Sequence, residues 1–233
     1  MRPRTAWRLS VLAGLVAFAC SFAFGNIPGL VACGTYDGSG QLGSILAFEL
    51  ARTPGDVAAL FGGGACRATF VAAQNTGLWL DALGFIPSYT AFLALAAIAA
   101  SRGRLRLAIV AMLAIAGLSD EIEGVLMWRI MDTLPGTPGQ LDALWWAVHI
   151  KFALLALGTT AIGLALLAKF KLWPMLFGLI VAVGGAAAIY GFWTLPNRMM
   201  IAGFTYAWFA ILATAIVASF AAGVFTLSPR AQR

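Results

Sequence analysis

Apolar residues run through this chain in six stretches of roughly twenty, separated by short breaks that are polar or rich in glycine and proline. The stretches cover about residues 9–27, 77–100, 107–127, 143–168, 172–193 and 199–225. Each is long enough to cross a hydrocarbon core of about 30 Å as a helix, where every backbone polar group must find its partner internally. The pattern predicts an all-α polytopic membrane bundle of six transmembrane helices, one integral membrane domain over residues 1–233. The first stretch follows Arg2, Arg4 and Arg8, as in a signal peptide. It is long for a signal core and has no clear Ala-x-Ala site, so it reads as a retained helix.

The 28–76 connection is the only long polar one. Within it, Thr53-Pro54-Gly55-Asp56 has the logic of a capping box with proline at the first helical position. Val57, Leu60 and Phe61 follow, and Gly62-Gly63-Gly64 stops the run, which predicts one short extracytoplasmic helix between the first and second spans. No Lys-Ser or Lys-Thr follows the glycines, so they do not form a nucleotide loop.

Composition sharpens this picture: 61% of residues are hydrophobic and 10% charged, against about 25% charged in ordinary soluble domains. The net charge of +6 would suggest nucleic acid in a soluble protein, but the location of the basic residues excludes it. Arg2, Arg4, Arg8, Arg102, Arg104, Arg106, Lys169, Lys171, Arg230 and Arg233 gather at one set of span ends, and Arg52, Arg67, Arg129 and Arg198 at the other. The positive-inside tendency then places both termini in the cytoplasm of a bacterial inner membrane. Cys33 and Cys66 both fall in the outer loop, an oxidising compartment under that topology, and are a candidate disulfide. Cys20, inside the first span, reads as a small apolar packing residue.

The chemistry is concentrated in Asp120-Glu121-Ile122-Glu123, three carboxylates inside an apolar span. Each acid near the middle of a membrane helix costs about 2.5–3.5 kcal/mol on insertion scales, so something must compensate. Asp120 and Glu123 share a helix face, whereas Glu121 lies well round from Glu123. Counting about 1.5 Å per residue from the cytoplasmic ends brings Asp81, Asp120, Glu123, His149 and Lys151 to depths of about 20–28 Å. One polar layer of Asp81, Asp120, Glu121, Glu123, His149 and Lys151 is therefore expected, with Lys151 paired to the Asp120/Glu123 face. The plain alternative is that Lys151 neutralises a carboxylate and only fixes helix register. The surplus of acids favours a site in which one carboxylate holds a proton near neutral pH and could relay it, bind a cation or act as an acid. The single histidine and the lack of paired Glu-x-x-His elements argue against a metal site.

Phe48-Glu49-Leu50-Ala51, Leu80-Asp81 with Tyr89, Asp120-Glu121-Ile122-Glu123, and Trp146 with Lys151-Phe152 together resemble a family of uncharacterised small bacterial polytopic inner-membrane proteins. Its members show similar Asp...Tyr, Asp-x-x-Glu and Lys-Phe signatures over roughly residues 45–155, and this chain departs from them at Gly124, where they have Asn. The resemblance brings Tyr89 among the candidate ligand-binding residues and carries no activity. The expected function is binding, or moving, a lipid-like or cationic ligand or a proton at an outer-leaflet acidic pocket. The alternatives are a membrane-embedded enzyme using Asp120 or Glu123 as acid or base on an apolar lipid or isoprenoid, and an accessory subunit of a larger membrane complex. Expected partners are the bilayer, a lipid or apolar small molecule and a membrane protein, with no nucleic acid; no cofactor is assigned.

Overall fold

A computed structural model describes residues 1–34, 42–194 and 197–221. The described residues are all-helical: α1 (Pro3–Phe24), α2 (Ser44–Glu49), α3 (Pro54–Phe61), α4 (Gly64–Leu80), α5 (Ile86–Ala100), α6 (Gly103–Asp132), α7 (Pro138–Leu167), α8 (Leu172–Trp193) and α9 (Arg198–Phe220). A single π-helical turn, Asp81–Phe85, joins α4 to α5 without a break.

Five helices are long and apolar enough to cross a membrane: α1, the continuous Gly64–Ala100 helix, α7, α8 and α9. Their outward residues are apolar as well, among them Leu15 and Phe22 on α1, Leu176 and Val183 on α8, and Ile216 and Phe220 on α9. A helix that is hydrophobic all round suits lipid on one side and protein on the other. The expected span over residues 107–127 falls in α6, 30 residues long, which is not among the five because Asp120, Glu121 and Glu123 dilute its apolar character.

The long helices pack in a ring in the order α1, α5, α6, α7, α8, α9, closed where α9 returns to α1. Small residues set the tightest contacts. A Cβ on Gly178 of α8 would lie 2.9 Å from the carbonyl oxygen of Gly163 on α7, so glycine is what lets these backbones touch. The apolar core runs through the ring, with Phe92, Leu113, Leu144, Ile162, Val181 and Ile211 buried.

The segment before α4 departs from the expected single short helix. α3 stands where the capping-box reading put it, with Thr53 and Asp56 bonded reciprocally and Gly62 ending the helix at φ +55°. There is a second short helix, α2, and residues 64–76, expected as loop, belong to α4. The second span therefore begins earlier than residue 77, because Arg67, Gln74 and Asn75 do not interrupt a helix once tertiary packing holds it. Phe48 packs edge-on to Phe61 at 5.0 Å, and Phe61 lies 4.8 Å from Phe70, so α2, α3 and the start of α4 share one aromatic knot. This cap also reaches α7, where the Arg52 guanidinium sits 5.0 Å above the Trp145 ring and 3.4 Å from Asp142.

Cys33 and Cys66 lie at disulfide-bonding distance across the same cap, 33 residues apart. Closing a loop of this size contributes about 3–4 kcal/mol in the chain-entropy picture. Cys33→Ser with Cys66→Ser should lower the thermal midpoint in detergent, and neither native thiol should alkylate without reductant. Free alkylation of both thiols in untreated protein removes the bond.

Candidate functional site

The four side chains at the centre come from three elements. α7 supplies Lys151, α6 supplies Asp120 and Glu123 from one face, and α2 brings Glu49 in from the cap. The Lys151 ammonium donates one hydrogen bond to each acid: Glu49 Oε2 at 3.0 Å, Asp120 Oδ1 at 3.0 Å and Glu123 Oε1 at 2.8 Å. A protonated lysine has three donors, so its hydrogen-bonding capacity is filled. All four side chains are at most 7% exposed. Glu123 Oε2 also lies 2.7 Å from Nζ, as an electrostatic contact without a hydrogen bond of its own.

Asp120 is bound from a second side, because the buried Tyr89 hydroxyl of α5 donates to Oδ2 at 2.7 Å. Both its oxygens are thus occupied. Ser119 of α6 donates to the Ala147 carbonyl of α7 at 2.9 Å, which fixes the register that puts Lys151 opposite Asp120 and Glu123. One ammonium against three carboxylates leaves a formal charge of −2 when all are ionised. In a low-dielectric interior that surplus is expensive unless it is compensated.

A cavity of about 670 Å³ opens on this cluster. Its polar lining includes Glu49, Asp81, Tyr89, Asp120 and Lys151, and its apolar walls come from α1 and the residues just after it, from the start of α2, and from the π-helical turn, α7 and α9. Phe18, Phe85, Phe152, Leu155, Phe204 and Trp208 are among the wall residues. The volume lies within the range of sites that hold drug-sized ligands, as does the combination of many apolar groups with a few convergent polar ones.

Sequence reasoning placed six residues in one polar layer and the resemblance added Tyr89, and the structure divides these seven. Asp81, Tyr89, Asp120 and Lys151 meet at the cavity, and Glu123 closes the ion cluster behind it. Glu121 is on another face of α6, half-buried and outside both. His149 is excluded too: its ring lies 3.7 Å from that of Trp145, its Nδ1 is 2.7 Å from the Trp145 carbonyl oxygen, and Phe192 meets its edge. Depth counting gave it the right height, but two residues along a helix turn a side chain by about 200°, so it points away from Lys151. Glu49 is the residue that sequence reasoning missed as a site member. Its signal was an acid between Phe48 and Leu50 in an otherwise apolar hexamer, which a solvated loop would not need.

No family model, curated protein or solved structure matches the chain.

Lys151→Met strands three buried carboxylates, and breaking a buried ion pair typically costs about 3–5 kcal/mol. That variant should unfold in detergent well below wild type, and adding Glu123→Gln or Asp120→Asn should recover part of the loss. Strictly additive effects in the double-mutant set, read by thermal unfolding, contradict the cluster.

Proposed function

We propose that this chain is an integral protein of a bacterial inner membrane whose intramembrane cavity binds an amphipathic, lipid-like molecule. The apolar body lies against the α1, α7 and α9 walls, and the polar end meets the lysine and carboxylate floor. The observation that carries the reading is the cavity itself, about 670 Å³ with an apolar wall and a charged base among membrane-crossing helices.

In this reading α6 is the sixth span. Inside the ring Lys151 bonds Asp120 and Glu123 and the Tyr89 hydroxyl bonds Asp120 again, so the helix crosses the bilayer in company rather than alone. Both termini and the loops holding Arg104 and Lys171 face the cytoplasm, and the cap of α2 and α3 faces outward. Supporting this, Arg102, Arg104 and Arg106 flank the α5–α6 connection, Lys169 and Lys171 the α7–α8 connection, and Arg2 and Arg4 the start of α1. The resemblance to small bacterial membrane proteins rests on sequence motifs and adds no activity. The enzyme reading on Asp120 or Glu123 draws little support from the geometry, because Lys151 engages both acids.

Single cysteines at Arg104 and Lys171 should label only from the cytoplasmic side of sealed vesicles. Labelling from the opposite side alone reverses the topology.

Filling the cavity tests the binding reading. Ser21 on α1 and Thr205 on α9 both line it, and both are exposed in the described chain. Native mass spectrometry of wild type from mild detergent should show a retained small molecule, and Ser21→Trp with Thr205→Trp should lose it. The same adduct on both proteins, or none on either, removes the reading.

A further inference from the structure

We infer that the polar end of the cavity's ligand is an organic ammonium group, recognised by the Asp81 carboxylate and the aromatic residues Phe85, Tyr89 and Trp208. The inference rests on the amphipathic-ligand reading above and names the chemistry of the head.

Asp81 stands at the start of the only π-helical turn among the described residues, where the Ile86 amide donates to the Asp81 carbonyl five residues back. Such turns insert an extra residue into a helix and occur frequently at functional sites. This one delivers a carboxylate to the cavity, and among the described residues that side chain has no hydrogen bond or ion pair. Among the described residues Lys151 is the one cation beside it, and its three donors are committed to Glu49, Asp120 and Glu123. The cluster has more negative than positive groups even before Asp81 is added. A cation from outside the chain is the partner that this carboxylate lacks.

The surrounding surface selects among cations. Phe85 and Tyr89 lie 5.1 Å apart between ring centroids, Tyr89 and Trp208 stack at 5.4 Å, and Phe204 meets Trp208 at 5.8 Å. All four line the cavity. Aromatic faces attract a positive charge, and aromatic pockets are a recurrent means of holding quaternary ammonium groups. Hard metal cations instead require a shell of about six or more oxygens, and one uncommitted carboxylate among aromatic rings does not supply it. An alkylammonium matches both parts of the cavity: the head meets Asp81 and the rings, and the chain follows Phe18, Leu155 and Phe209.

Octyltrimethylammonium and octanol have the same chain and differ in the charged head, so their comparison isolates it. Equilibrium dialysis against protein in nanodiscs, with empty discs as reference, gives the two affinities. The cation should bind wild type at least about 10-fold more tightly, the scale of a desolvated cation–aromatic contact. Asp81→Asn should abolish most of that selectivity while octanol binding persists, Asp81→Glu should retain it, and Trp208→Leu should weaken the cation alone. Equal binding of both probes to wild type, lost in the Ser21→Trp and Thr205→Trp protein, overturns the ammonium assignment and leaves the amphipathic reading standing. Selective binding unaffected by Asp81→Asn also overturns it. Binding of neither probe to wild type removes both readings.

Discussion

The fold turns on one buried ammonium group. Lys151 is held by carboxylates from α2 and α6, and it has no hydrogen bond left to give. None of the three carboxylates is tolerable there without the ammonium, nor the ammonium without a carboxylate, because an unpaired ion in a low-dielectric interior costs several kcal/mol. The register of α6 against α7 and the docking of the cap on the ring are therefore one constraint. Tyr89 adds a fourth helix to it by reaching Asp120, so α5, α6, α7 and α2 are tied through side chains clustered about a single nitrogen.

Much of this was legible in the chain because membrane helices obey simple counting rules. Apolar run lengths located all the long helices, and depth along neighbouring spans was enough to pair Lys151 with Asp120 and Glu123. Helical rotation set Glu121 well round from Glu123, although the layer expected from depth still included it. His149 was misplaced because depth was considered without rotation. Glu49 was beyond such counting: it lies 102 residues from Lys151 in sequence and reaches it only because Phe48, Phe61 and Phe70 knot the cap together. The π-helical turn at Asp81 had no legible mark either, since the sequence Asp81–Phe85 is compatible with an ordinary helix.

The cavity and the ion cluster use the same residues for different ends. Glu49, Asp120 and Lys151 each belong to the cluster and also line the cavity, while Glu123 stands behind as a purely internal partner. Binding and architecture are consequently hard to separate by mutation at the shared residues. Asp81 and Trp208 are better probes, because the ring of helices does not lean on the Asp81 carboxylate, and the Trp208 indole has a hydrogen bond to Thr159 that is independent of the cluster.

The pairing of α6 with α7 has a consequence for how the protein is made. During synthesis α6 emerges before the lysine that neutralises it, carrying acids that disfavour its partition into lipid by several kcal/mol. α7 follows after a connection of five residues, Thr133–Thr137, and is strongly apolar along its length. In the six-span arrangement the two are best inserted as a helical hairpin, with Lys151 entering beside Asp120 and Glu123 at the same moment. The insertion machinery would then have to hold α6 at its lateral opening until α7 arrives, which makes the pair, rather than the single helix, the unit of membrane integration.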